Sequence, residues 1–141
     1  MIVLDTNVVS EFMRPRPDAS VIAWLDSIPR SEIWTTSITI AELAAGIAVL
    51  PAGQRRTGLK KGLDQALRGF EDRILGFATV AALQYGAVIS RRARLGRPIS
   101  IADAQIAAIV IESGATLATR NIKDFDGTEA VVIDPWAAGP N

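Results

Sequence analysis

The sequence predicts a single α/β domain, in which a parallel sheet of about five strands lies between layers of α-helices. Short apolar runs alternate with longer segments of helical periodicity along the whole chain, as in repeated strand–helix–strand units. The runs are continuously apolar, which is typical of strands buried on both faces of a parallel sheet. A length of 141 residues suits one domain spanning 1–141.

Five short apolar segments are the predicted strands. They cover residues 2–4, 33–36, 74–77, 115–119 and 130–133. Binding and catalytic sites of open parallel sheets form beyond the carboxyl ends of the strands. Asp5 follows the first strand directly, and Asn121 and Asp124 follow the fourth. We therefore expect these polar side chains at one edge of the sheet.

Helical spacing of apolar residues predicts the intervening helices. They cover residues 20–28, 39–50, 55–72, 79–95 and 101–113. Pro51 follows the second helix and Gly114 closes the last. The sequence contains no internal repeat, low-complexity tract or linker.

The composition limits the chemistry available to the protein. The chain contains neither cysteine nor histidine, which excludes thiolate catalysis, a Ser-His-Asp triad and zinc bound by either residue. Hydrolysis would then depend on carboxylates, amines, hydroxyls or a metal held by oxygen ligands. Magnesium or manganese suits such a site.

Neither a membrane span nor a secretory signal is predicted. No apolar run approaches the ~20 residues that a span requires, and Asp5 interrupts the first apolar stretch. A cytoplasmic location is therefore expected. The formal net charge of zero argues against a protein that coats DNA by bulk charge. Twelve of the 15 basic residues nevertheless lie between Arg55 and Lys123, which indicates either a cationic face or solvated helix surfaces.

Two further acids, Glu42 and Asp103, lie near predicted helix starts. Each falls three residues after a hydroxyl residue, Thr39 or Ser100, so each fits a capping box and could merely accept a backbone N–H. Asp103, however, stands in an otherwise apolar helix, where a charge is costly unless it is paired or binds metal. Two carboxylates about 4 Å apart repel by roughly 4 kcal/mol at an effective dielectric of 20. A divalent cation or an inserted basic group would relieve that repulsion.

Four ordered motifs resemble those of PIN domains. They are Ile-Val-Leu-Asp-Thr-Asn at 2–7, Ser-Ile-Thr-Ile-Ala-Glu-Leu-Ala-Ala-Gly at 37–46, Ile-Ala-Asp-Ala-Gln-Ile-Ala at 101–107 and Ala-Thr-Arg-Asn-Ile-Lys-Asp-Phe at 118–125. The ending Asp-Pro-Trp at 134–136 also fits. Their order and spacing resemble VapC toxins of type II toxin–antitoxin modules, including the FitB-like branch.

The resemblance implies a ribonuclease that uses magnesium or manganese. It also implies a homodimer, able to enter a higher assembly, that a small antitoxin silences by laying its C-terminal tail across the active cleft. An antitoxin arginine is expected to pair with the acids. Its flanking apolar residues are expected in a groove lined by the first two helices, with Trp24 or Leu25 as lining residues or as core.

The resemblance also assigns roles to individual residues. Asp5, Glu42 and Asp103 match three family acids, and Asp5 and Asp103 are the expected metal ligands. The fourth acid falls at Asn121 in some relatives and three residues later, here Asp124, in others. We favour Asp124 because Asn121 is neutral. Thr6, Asn7, Thr119 and Asn121 are the supporting residues.

The candidate RNA contacts come from the placement of charge and not from the resemblance. Four arginines end a predicted helix just before the loop that leads to Asp103, namely Arg91, Arg92, Arg94 and Arg97. We expect at least one of them, foremost Arg92 or Arg94, to contact RNA phosphate, with Arg120 and Lys123 as further candidates.

Two other functions stay open at this point. One is a catalytically inactive PIN-like module that binds RNA or protein. The other is a phosphatase of the haloacid dehalogenase type, which also begins with an Asp after the first strand. That class usually needs a second Asp two residues later, where this chain has Asn7.

Overall fold

The structure, a computed structural model, describes residues 1–137. Within that range, five strands form one sheet in which every pair of neighbours is parallel. The strands are β1 (Ile2–Leu4), β2 (Ile33–Thr36), β3 (Ile74–Leu75), β4 (Thr116–Ala118) and β5 (Val131–Ile133). Their spatial order is β3-β2-β1-β4-β5. The predicted five-stranded parallel sheet is confirmed.

Helices connect the strands throughout the described range. They are α1 (Thr6–Phe12), α2 (Ala19–Asp26), α3 (Ser37–Ala48), α4 (Gln54–Phe70), α5 (Thr79–Arg94), α6 (Ile101–Ser113) and α7 (Ile122–Phe125), with a 3-10 turn at Arg30–Glu32. None of the helices described here is both long and apolar enough to cross a membrane.

The sheet is buried on both faces, as its continuously apolar strands predict. Neighbouring residues of β1 face opposite ways: Val3 packs with Val88 of α5 and with α6. Leu4 packs with Val8 of α1 and Phe70 of α4. The helices thus form two layers around the sheet, which is the predicted α/β/α sandwich.

The chain order creates a crevice beside the central strand. From β1 the chain moves outward through β2 to β3, and then crosses to the other side of β1 to form β4 and β5. Such a reversal of strand order opens a crevice at the carboxyl ends of the two strands that flank it, here β1 and β4. The two ends are held together, since the backbone N–H of Asp5 donates to the carbonyl of Ala118 at 2.9 Å.

Two short helices were absent from the sequence prediction, and several predicted element boundaries differ from the structure by one or two residues. Residues 6–12 form α1, although Asp5-Thr6-Asn7 had indicated only the end of a strand. The polar segment after β4 contains the four-residue α7. Helix α3 begins at Ser37 rather than Thr39, because Thr36 at the end of β2 acts as its N-cap.

Candidate active site

Asp5 is the most deeply buried of the four predicted acids, and only 4% of its surface is exposed. Its Oδ1 accepts a hydrogen bond from the backbone N–H of Thr6 at 2.8 Å. Its Oδ2 accepts from Thr119 Oγ1 at 2.7 Å and from Asn7 Nδ2 at 3.2 Å. These three donors fix the orientation of the carboxylate at the mouth of the sheet.

Asn7 and Thr119 also join the two sides of the crevice to each other. Asn7 Nδ2 lies 3.3 Å from Thr119 Oγ1, and Asn7 Oδ1 accepts the backbone N–H of Arg120 at 3.0 Å. The backbone N–H of Asn121 donates to Thr119 Oγ1 at 3.1 Å. The start of α1 is thereby tied to the segment that follows β4.

Burial raises the pKa of the Asp5 carboxyl above its ordinary value of 3.8. Hydrogen bonds from Thr119 and Thr6 act in the opposite direction, while the neighbouring negative charge of Glu42 raises the pKa further. The charged form of Asp5 is therefore disfavoured in the protein alone. A cation placed beside it would be attracted strongly.

Glu42 lies on α3 with its side chain exposed to solvent. Its Oε1 accepts a hydrogen bond from Thr6 Oγ1 at 2.7 Å, which places it beside Asp5. The capping-box alternative for Glu42 is wrong, because Thr36 Oγ1 accepts the backbone N–H of Thr39 at 3.0 Å. Glu42 thus lies beyond the first turn of α3, and its side chain faces the crevice between β1 and β4.

Asp103 lies in the first turn of α6 and is half-buried. Ser100 Oγ accepts the Asp103 backbone N–H at 3.1 Å, so the N-cap half of the predicted capping box is present. Burial is the main cause that raises the pKa of the Asp103 carboxyl, and the charges of Asp5 and Asp124 add to it. Asp103 therefore lies close enough to Asp5, which follows β1, and to Asp124 of α7 for their charges to act on it.

Asn121 and Asp124 are the two candidates for the fourth position. Both are exposed, with Asn121 just before α7 and Asp124 within it. Asp124 influences the Asp103 carboxyl through its charge. A polar cavity of about 390 Å³ lies alongside, with Asp134 in its lining. Sequence reasoning assigned Asp134 no role, although it follows β5 as Asp5 follows β1.

Arg92 is buried, which is at odds with the prediction that it contacts RNA. Only 6% of its surface is exposed. Its guanidinium donates to the carbonyl oxygens of Arg97 at 2.8 Å, Pro98 at 3.1 Å, Asp124 at 2.9 Å and Asp126 at 2.8 Å. Arg92 therefore anchors the loop before α6 and the end of α7, and so supports the segments that carry Asp103 and Asp124.

The donor set suits a hard divalent cation, since carboxylate, hydroxyl and amide oxygens are the preferred ligands of magnesium and manganese. Besides burial, the charge of Glu42 raises the pKa of Asp5, and the charges of Asp5 and Asp124 raise the pKa of Asp103. A cation at this place would relieve the repulsion between these like charges. Within residues 1–137, no three acidic side chains already converge as a metal-binding group. Binding would therefore have to draw the helix-borne acids inward or use bridging water.

A second, larger cavity of about 700 Å³ lies between α1, α2 and α4. Apolar side chains dominate its lining, including Phe12, Met13, Leu25, Ile28 and Phe70. Leu25 lines this groove and also packs, like Trp24, against the core on the same side of the sheet. Arg14, Arg30 and Arg73 add positive charge to the groove lining.

Comparison with known proteins identifies similar chains over nearly the full length. The family model for the PIN domain matches residues 2–130. The toxin FitB of Neisseria gonorrhoeae is 39% identical over 96% of this chain and 99% of its own. The VapC ribonuclease Y4jK of Sinorhizobium fredii is 37% identical over 96% of this chain and 98% of its own. A solved structure of FitAB bound to the IR36 DNA fragment superposes with a TM-score of 0.89 at 37% identity, covering 100% of this chain and 99% of the matched chain.

Proposed function

This chain belongs to the PIN-domain family, and we propose that it is a divalent-metal-dependent ribonuclease and the toxin of a type II toxin–antitoxin pair. The observation that carries the proposal is the buried Asp5 carboxylate at the β1–β4 crevice. Besides burial, the charge of Glu42 raises the pKa of Asp5, and the charge of Asp5 in turn raises the pKa of Asp103. The relatives named as a toxin and as a ribonuclease support the same activity.

PIN-domain ribonucleases in general depend on a divalent metal, and we propose magnesium or manganese here. Asp5 and Asp103 would bind the ion directly or through water, with Glu42 and Asp124 completing the acidic site. When bound, such an ion lowers the pKa of water and neutralises charge on the scissile phosphate. The chain itself orients the acids: Thr119, Thr6 and Asn7 hold Asp5, and the Thr6 hydroxyl also holds Glu42.

The expected reaction is hydrolysis of an RNA phosphodiester by in-line attack of water. The chain contains no histidine, so the pair of imidazoles that could use the RNA 2′-hydroxyl as nucleophile is absent. Attack by water leaves a 5′-phosphate on one product and a 3′-hydroxyl on the other.

An antitoxin would silence this site by competing with metal. The planar guanidinium of an arginine can pair with two carboxylate oxygens at once. Its positive charge would offset the burial and the repulsion from Glu42 that raise the pKa of Asp5. The apolar groove between α1, α2 and α4 offers room for the flanking residues of the same antitoxin tail. The solved FitAB complex supports a partner of this kind.

We also propose a homodimer as the free form of the toxin. Two large apolar side chains of α5, Val80 and Leu83, are 55% and 75% exposed. Their burial against a second copy would remove apolar surface from water. Size-exclusion chromatography with light scattering tests this point, and a monomer at micromolar concentration would contradict it.

The two alternative functions differ from the ribonuclease in what they do to RNA. A phosphatase of the dehalogenase type is disfavoured, because Asn7 occupies the position of its second acid and bridges Asp5 to Arg120 instead. An inactive binding module would retain RNA without degrading it. Purified chain, separated from any antitoxin, should degrade cellular RNA in magnesium or manganese and stop when EDTA is added. Intact RNA under both conditions would favour the binding module.

A further inference from the structure

Arg120 and Trp136 follow two neighbouring strands, β4 and β5. Arg120 comes two residues after β4 and Trp136 three residues after β5, and the backbone N–H of Thr119 donates to the carbonyl of Ile133 at 2.9 Å. The guanidinium carbon of Arg120 lies 4.9 Å from the centroid of the Trp136 ring. This separation is within the range of a cation–π interaction.

Both partners are anchored through their backbones. The N–H of Arg120 donates to Asn7 Oδ1 at 3.0 Å, and the amide of Asn7 reaches Asp5. The N–H of Trp136 donates to Asp134 Oδ1 at 2.9 Å, and its ring packs against the core that contains Leu4. The position of the guanidinium is therefore set by two anchored segments, the backbone at Arg120 and the ring of Trp136. The backbone at Arg120 is linked to the Asp5 carboxylate through only two hydrogen bonds, by way of Asn7.

The charge of Arg120 is available for a ligand, in contrast to that of Arg92. Its side chain is exposed, and in residues 1–137 no hydrogen bond or ion pair engages its guanidinium. Hydrogen bonds from Ser20 are the main cause that lowers the pKa of the Asp18 carboxyl, and the charge of Arg120 lowers it further. Arg120 and Lys123 line the polar cavity beside Asp124, so two cations lie next to one of the candidate acids.

From these contacts we propose that Trp136 is a positioning residue, which holds Arg120 so that it binds an RNA phosphate next to the scissile bond. A guanidinium held over the face of an indole keeps N–H groups free for a ligand, and they can bind a phosphate in a bidentate geometry. The inference rests on the proposed ribonuclease function and adds a residue, Trp136, that the acidic site does not involve. An acidic group of an antitoxin is the competing ligand for the same N–H groups.

The test measures binding separately from cleavage, in the Asp5→Asn background, which removes turnover. Anisotropy of a labelled single-stranded oligoribonucleotide of mixed sequence is followed at increasing salt. Arg120→Ala should weaken binding about tenfold, as expected for a charge-assisted hydrogen bond. It should also flatten the salt dependence by about 0.7 in the log–log slope. Arg55→Ala, which removes an exposed arginine at the start of α4, is the matched control.

Trp136 is tested by substitutions that separate its ring from its bulk. Trp136→Leu, which keeps an apolar side chain in the core, should weaken RNA binding, and Trp136→Phe should recover most of the loss. Combined with Arg120→Ala, Trp136→Leu should add no further loss, because a positioning residue acts through its partner. Thermal melting establishes that each variant is folded.

Several outcomes would overturn the proposal. They are an unchanged salt slope in Arg120→Ala, additive losses in the double variant, or weaker binding of an antitoxin tail peptide with RNA binding unaffected. Failure of the ribonuclease proposal is recognised separately: the wild type would leave RNA intact in magnesium, while the binding measurements in Asp5→Asn would still report on Arg120.

Discussion

The acidic site has two halves that the fold supports differently. The strand-end half consists of Asp5 and Thr119, which follow β1 and β4 directly and are 4% and 0% exposed. The helix half consists of Glu42, Asp103 and Asp124, which are carried by α3, α6 and α7 and are exposed or half-buried. In the strand-end half three donors hold a single carboxylate, whereas the side chains of the helix half are partly or fully open to solvent.

This difference indicates that the two halves have different roles in binding the metal. A ligand on a strand end keeps its position whether or not the site is filled, because the sheet and its hydrogen bonds fix it. Acids whose side chains are exposed or half-buried on helices have room to adjust to the coordination distances of the ion. The strand-end half would thus locate the metal, and the helix half would complete its coordination.

The largest expected effect is loss of cleavage on removing one charge from each half. Asp5→Asn and Asp103→Asn should each reduce the cleavage rate by more than about 100-fold, since even residues that only support metal ligands cost 10–100-fold. Both variants should stay folded. If Asp103 only caps α6, its substitution would cost about 1 kcal/mol of stability and spare activity. RNA cleavage in a folded Asp103→Asn protein would contradict the assignment.

A second comparison decides which residue after β4 belongs to the helix half. Asp124→Ala should inactivate the enzyme, while Asn121→Ala should retain most activity because its side chain carries no charge. Both substitutions are at exposed positions, so neither should disturb the core. The reverse pattern in side-by-side assays would transfer the fourth position to Asn121.

Metal binding should raise the stability of the folded protein, because the ion would contact acids of both halves. A ligand at 100 times its dissociation constant adds about 2.7 kcal/mol of stability, which corresponds to a rise of roughly 5–15 °C in Tm for a domain of this size. Magnesium or manganese should raise the Tm of the wild type by this amount and that of Asp5→Asn much less. Equal shifts in both proteins would show that the ion binds elsewhere.

The strand-end half should also leave a smaller signature in the pH dependence of stability. Burial raises the pKa of Asp5 in the folded state above 3.8, so the folded protein favours the protonated carboxyl. The contribution of Asp5 to the free energy of unfolding is therefore fully favourable below pH 3.8 and is lost as the pH rises through the folded-state pKa. Without metal, wild type should therefore lose stability relative to Asp5→Asn as pH rises above about 4. Urea unfolding at several pH values measures this difference, and parallel curves for the two proteins would contradict it.

The sequence predicted the strand-end half more completely than the helix half. Continuous apolar runs predicted the parallel strands, and a parallel sheet by itself brings Asp5 and Thr119 to one edge. The strand order, and hence the crevice between β1 and β4, depends on which helices cover which face, and that is not readable from periodicity. The four-residue α7 was missed because a polar segment so short has no apolar period to detect.

The basic residues show the same limit. Four arginines near the end of α5 indicated an RNA-binding run, yet Arg92 is buried by carbonyl oxygens from loops distant in sequence. Arg91 and Arg97 lie in ion pairs with Glu129 at 3.0 Å and Asp126 at 3.6 Å. Arg94 is exposed and stays a candidate phosphate contact. Only tertiary structure distinguishes an arginine that supports the fold from one that faces a ligand.

The most direct test of the account is the chemistry of the ends produced from RNA. Wild-type protein freed of antitoxin is incubated with labelled RNA in magnesium, and the products are treated with enzymes that require a 5′-phosphate or a 3′-hydroxyl. A metal-bound, carboxylate-based site predicts both of these ends and no cleavage in EDTA or in Asp5→Asn. A 2′,3′-cyclic phosphate, or cleavage that persists in EDTA, would contradict water attack at the acidic site.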